Sequence, residues 1–226
     1  MINAWNLQEL RESIAINQPK EKTPLIEITN SLGRSREIFE YHKRLARDAF
    51  GAFDTTNDPT GIIFFEHLCG ASEQEELLYD ANLASEANLI ACISVTRNVF
   101  DSFGQLLNGL VVGHPRKGNL YIHDIINLLP PSELKDELGK AISSTWYEYI
   151  NAFMNTVKHR QLIKHNPSIS FIDNRHGGKV DGFRYKDKPY SERWAMDVLQ
   201  GTVDLQNSLG ACGRALNRHY VNRSSE

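Results

Sequence analysis

The sequence predicts a mainly α protein, an antiparallel helical bundle with one small β-hairpin at about 168–186 ahead of its last helix. Three observations carry this. Apolar residues recur at helical spacing over 75–112, 134–157 and 194–216. The period changes to alternation between Ile169 and Tyr185. The connectors are modest in length, which favours antiparallel neighbours. One domain is expected over 1–226, with N-terminal helices in 1–58 packing on a 75–220 core.

Each element has its own signal. A short amphipathic helix fits residues 5–15, followed by a loop holding Pro19 and Pro24. The stretch "NSLGRSREIFEYHKRLARDAF" places apolar residues at 38, 39, 41, 45, 49 and 50, a helical pattern. "DTTNDPTG" is a loop of turn residues, and "GIIFFEHLCG" fits strand or helix. The longest helix runs from about 75 to about 112, ended by Gly113, Pro115 and Gly118. "NLYIHDIINLLPP" is a connector with one helical turn. Ser132 is a good N-cap for a single helix with apolar residues from 134 to 157, which Pro167 stops. In the hairpin, "NRHGG" reads as the turn, with Val180, Phe183 and Tyr185 in the return strand. Ser191 caps a last helix reaching about residue 220, whose core face holds Trp194, Val198, Leu199, Leu205, Leu209, Cys212 and Leu216.

Bulk numbers are those of an ordinary globular chain of 226 residues, 41% hydrophobic and 23% charged. A net charge of −3 gives no compositional support for a nucleic-acid binder, but the charge is unevenly placed. Residues 157–193 carry nine Lys or Arg against four Asp or Glu, while residues 66–86 carry six acidic residues and no Lys or Arg. Such a bipolar layout steers an anionic partner or a second copy of the chain. Cys69, Cys92 and Cys212 form no CxxC pair and read as reduced cysteines, which fits a cytoplasmic protein. The N-terminal stretch lacks a secretory apolar region, and no window approaches a membrane span.

Two polar groupings interrupt the apolar helices. Arg97 and Asp101 are four apart in "TRNVFDSF" and share a helical face. If buried they must pair; the functional alternative is that Arg97 holds an anionic ligand. Asn151, Asn155 and His159 form an i, i+4, i+8 row flanked by Lys158, with Arg97 or Asp101 as the expected partner on a neighbouring helix.

The row runs into "NTVKHRQLIKH", residues 155–165, where Arg160 and His165 spell R-x4-H. This motif, on a helical layout in which "RNVFD" precedes "NTVKHR", resembles the HEPN superfamily of all-α bundle proteins. The resemblance implies a homodimer and RNA as substrate, with an endoribonuclease of a bacterial toxin or phage-defence system as the expected activity and an antitoxin as an expected protein partner. It assigns Arg160 to the scissile phosphate and His165 to proton transfer, with Asn155, Lys158 and His159 in support and no cofactor or metal needed. A guanidinium grips phosphate through two prongs, and an imidazole titrates near neutral pH. Five residues correspond to about 140° around an α-helix, so the two side chains converge only if the helix ends or bends there.

Other chemistries lack their signatures. Eight His at 42, 67, 114, 123, 159, 165, 176 and 219 form no HxxxH, HExxH or finger spacing. "HGGK" at 176–179 lacks the rest of a phosphate-binding loop, and a hairpin turn accounts for its glycines. Arg36, Lys43 and Arg47 form a basic helical face diluted by Glu37, Glu40 and Asp48. The rival to a nuclease is a non-catalytic helical protein that binds a partner protein or a small anion, its polar rows serving architecture.

Overall fold

The computed structural model describes residues 5–18, 22–54, 57–70, 75–112 and 121–221. The protein is mainly α, with a small antiparallel β region before the last helix. The helices among the described residues are α1 (Leu7–Asn17), α2 (Lys22–Asp48), α3 (Ile62–Leu68), α4 (Glu75–Leu110), α5 (Ile122–Leu128), α6 (Glu133–Ile142), α7 (Thr145–His159) and α8 (Ala195–Tyr220). The strands are β1 (His165–Ser170), β2 (Arg175–Val180), β3 (Phe183–Tyr185), β4 (Lys188–Tyr190) and β5 (Arg193–Trp194). They form an antiparallel sheet in the order β1-β2-β5 and a separate β3-β4 hairpin.

Local chemistry explains most boundaries. Asn6 caps α1 by accepting from the Glu9 N–H at 3.1 Å. Pro24 lies in the first turn of α2, where its missing N–H has no helical acceptor to lose. The ambiguous segment at 61–69 is helix α3, because the Asp58 carboxylate accepts from the N–H groups of Ile63 and Phe64 at 3.2 and 2.7 Å. The expected stop of α4 at Gly113, Pro115 and Gly118 lies outside the described residues, as do Pro19 and His114.

Three expectations are corrected. The helix read across 134–157 is two helices: Ser132 caps α6 as expected, but the chain breaks at Ser143–Ser144, where Ser144 Oγ accepts from the Tyr147 N–H at 3.2 Å and starts α7. The apolar pattern crosses this break because both helices bury the same kind of stripe. "NRHGG" is not the turn. The turn is residues 171–174, with Asn174 at φ 49°, and Gly177 and Gly178 lie inside β2. A Cβ on Gly178 would fall 2.1 Å from His165 Nε2, so the strand needs glycine to approach that ring. Ser191 does not cap α8, since β5 intervenes and the helix begins at Ala195.

The described chain divides into two compact units. The first draws on residues up to Ile38, Val95–Glu148 and Val203 onward; the second is Phe39–Ser94 with Tyr149–Thr202. Helices α2, α4, α7 and α8 each contribute to both. In the first unit, Asn217 ties the chain's opening residues to α8. Its Oδ1 accepts from Trp5 Nε1 at 2.9 Å, and its Nδ2 donates to Asn6 O and Glu9 Oε2, each at 2.8 Å. The Trp5 ring meets Phe103 edge-on at 5.6 Å. In the second unit, Phe53, Phe64, Leu78 and Ala81 form a buried cluster with Phe50 and Ile169 against it. Its β3-β4 hairpin is anchored by stacked Phe183 and Tyr190 rings, 4.8 Å apart, with Phe183 edge-on to Tyr149 and Phe153 of α7.

Candidate functional site

Helix α7 ends at His159, so Arg160 stands just past the helix and His165 opens β1. The helix expected to run on to Pro167 thus stops at His159, and His165 lies in a strand. Arg160 is exposed. Its Nη1 donates to the carbonyl of Arg184 in β3 at 3.4 Å, a long bond that links the helix end to the β3-β4 hairpin.

His165 has a different setting. It is 6% exposed, and its Nε2 lies 3.1 Å from Ser85 Oγ on α4. Its carbonyl accepts from Asn82 Nδ2 at 2.8 Å, and Gly178 packs over the ring. Burial pushes its pKa down to about 4, with Asp181 opposing that shift. The ring is therefore neutral at physiological pH, pinned between α4 and β2. A buried, hydrogen-bonded imidazole of this kind holds elements together; proton exchange with a bound substrate requires an open face.

The rest of the row divides the same way. Asn155 is half-buried and donates through Nδ2 to the Asn151 carbonyl at 2.8 Å, and at 3.4 Å to Asn151 Oδ1. Lys158 and His159 are exposed. Arg97 and Asp101 belong to the first unit and pair at 2.6 Å, with the Arg97 side chain 12% exposed. The guanidinium lies 6.0 Å from the Tyr147 ring centroid, and burial pushes the Tyr147 hydroxyl up to about 12. The pair lies within one helix with its arginine little exposed, which suits architecture.

What the structure brings together is a basic face. Lys158 is in the last turn of α7, Arg160 and Lys164 follow that helix, and Arg184, Lys186 and Lys188 belong to the β3-β4 hairpin; all six are exposed. The hairpin reaches the helix end through Arg160, and Asp181 N–H donates to the Lys164 carbonyl at 2.9 Å. Only Asp181 and Asp187 oppose these six cations within 158–164 and 181–190. Asp181 already accepts from Asn166 Nδ2 at 2.6 Å. Aromatic residues alternate with the cations: Lys186 Nζ lies 5.5 Å from the Tyr185 ring and Lys188 Nζ 5.5 Å from the Tyr190 ring. Sequence reasoning noted the charge of this stretch but did not assign the hairpin residues to the site; the alternation in "FRYKDKPY" was the available signal.

Among the described residues, no group of three or more His, Cys, Asp or Glu side chains is placed to hold a metal ion. Among the same residues, no helix is long and apolar enough to cross a membrane. No family model, no curated protein and no solved structure matches this chain.

Proposed function

We propose that this is an RNA-handling protein that binds single-stranded RNA on the basic face formed by the end of α7 and the β3-β4 hairpin. The observation that carries the reading is the Arg160–Arg184 bond, which joins two basic segments into one surface. Six exposed cations give that surface its attraction for a phosphate backbone. Tyr185, interleaved with them, offers a ring face to an unpaired base. Arg160 is the phosphate-gripping member, as the HEPN resemblance has it. His165 supports the surface from beneath by fixing β1 to α4, and so the reading favoured here is binding without cleavage at R-x4-H.

The test is fluorescence anisotropy with a labelled single-stranded RNA of about 20 nucleotides, a length that covers one such surface. The double variant Lys186→Glu/Lys188→Glu is expected to weaken binding by at least about tenfold at low salt, and the salt dependence should become shallower. Equal affinity of variant and wild type overturns the reading. Cleavage of that RNA by the wild type, lost in Arg160→Ala and in His165→Ala with folding intact by circular dichroism, replaces binding by catalysis.

A further inference from the structure

The second unit contains a cavity of about 550 Å³ that neither the basic face nor the R-x4-H motif uses. Its size falls within the range of roughly 300–1,000 Å³ typical of small-ligand sites. Phe50 and Trp194 stand in its wall with Met196, beside the buried Phe53. The cavity is held open by contacts internal to the protein. Arg175 grips Asp197 with two bonds, Nη1 to Oδ2 at 3.1 Å and Nη2 to Oδ1 at 2.8 Å. Its guanidinium also lies 4.9 Å from the Trp194 ring, and Lys179 Nζ lies 4.8 Å from the same ring. His176 Nε2 donates to the Phe53 carbonyl, fixing the opposite wall.

The charges of the wall are unequally engaged. Asp54 accepts from the Asn57 N–H at 3.0 Å, and Asp48 accepts from Arg47. Arg47 makes that contact through Nε, at 3.0 Å. Among the described residues no acceptor sits on its two terminal nitrogens, and such a pair suits a two-pronged acceptor, the geometry in which a guanidinium holds carboxylate or phosphate. Aromatic walls favour a flat apolar body by stacking and edge contacts.

We infer that this cavity binds a small planar aromatic molecule carrying an anionic group, its ring system against Phe50 and Trp194 and its carboxylate or phosphate on Arg47. The shared chemistry is an aromatic anion, and a free aromatic acid and a nucleoside monophosphate both present it.

Isothermal titration calorimetry on the full chain tests this with three probes: 1-naphthoate, the neutral 1-naphthalenemethanol, and adenosine monophosphate. Saturable binding of naphthoate or the nucleotide is expected, tighter than that of the neutral alcohol; whichever anion binds more tightly identifies carboxylate or phosphate as the group held. Arg47→Ala should weaken the bound anion by about tenfold and leave the alcohol unchanged. The Arg47 side chain is 60% exposed, so folding should tolerate the change. Met196→Trp, at a residue 46% exposed, should fill the space and remove binding of all three. Absence of saturable binding by either anion, equal binding of anion and alcohol, or indifference to Arg47→Ala or Met196→Trp overturns the inference. RNA binding is read by anisotropy at a separate surface, so the two proposals fail independently.

Discussion

Each unit contains an arginine paired with an aspartate beside an aromatic ring, and the two trios do different work. In the first unit, Arg97 pairs with Asp101 one helical turn away, near Tyr147, and the Arg97 side chain is 12% exposed. In the second, Arg175 pairs across elements with Asp197, near Trp194, with side chains 38% and 48% exposed. Residue types are nearly the same. What separates them is access to water, which sets both the cost of breaking the pair and what else the arginine can touch. A pair whose arginine is little exposed is committed to the fold, whereas a half-exposed pair at a cavity wall can shape a binding surface at small cost to stability.

The comparison breaks first at Asp101. Asp101→Ala removes the carboxylate that lies 2.6 Å from the little-exposed Arg97 guanidinium. We expect a loss of about 3 kcal/mol in urea unfolding, toward the lower end for buried pairs because Asp101 itself is 34% exposed. A loss below about 1 kcal/mol would put this pair in the same class as a surface one.

The buried imidazole of the second unit gives the next effect, through pH. Burial holds the folded-state pKa of His165 near 4, against an ordinary value of 6.5. Between those values the unfolded chain binds the proton and the folded chain does not. Stability from this group is therefore complete above pH 6.5 and is lost as the pH falls toward 4. Wild type should lose about 2 kcal/mol more than His165→Gln between pH 7 and pH 4.5. Parallel pH profiles for the two proteins would mean that the ring is solvated, and would reopen a catalytic role for R-x4-H.

How far the sequence reveals this follows from the range of the interactions. The long helices were legible because their apolar stripes are local and repeat every three or four residues. The break at Ser143–Ser144 was hidden, since a serine N-cap looks like any helical serine when apolar spacing continues on both sides. The start of β1 was hidden for a related reason: "HNPS" has little intrinsic strand character, and its register comes from pairing with β2, His165 opposite Val180. In the candidate site, the cations at 158, 160 and 164 were visible as local charge. The burial of His165 was not, because its partners Ser85 and Gly178 lie far away in the chain. The cavity draws its walls from residues near 46–54, 85, 174–178 and 194–196, and no local pattern joins four such segments.

The smallest effect sharpens the contrast with which the two trios began. Asp197→Ala removes the bidentate partner of Arg175, yet water reaches both side chains, so the released guanidinium is resolvated without a burial penalty. Urea unfolding should register a loss below about 1 kcal/mol. Arg175 also remains near the Trp194 ring, and Lys179 occupies the same ring while paired with Glu192 at 2.8 Å. The wall of the cavity therefore keeps one cation–aromatic contact that does not depend on Asp197. A loss equal to that of Asp101→Ala would mean that the Arg175–Asp197 bond organises the β2–α8 junction, and access to water would no longer distinguish the two pairs.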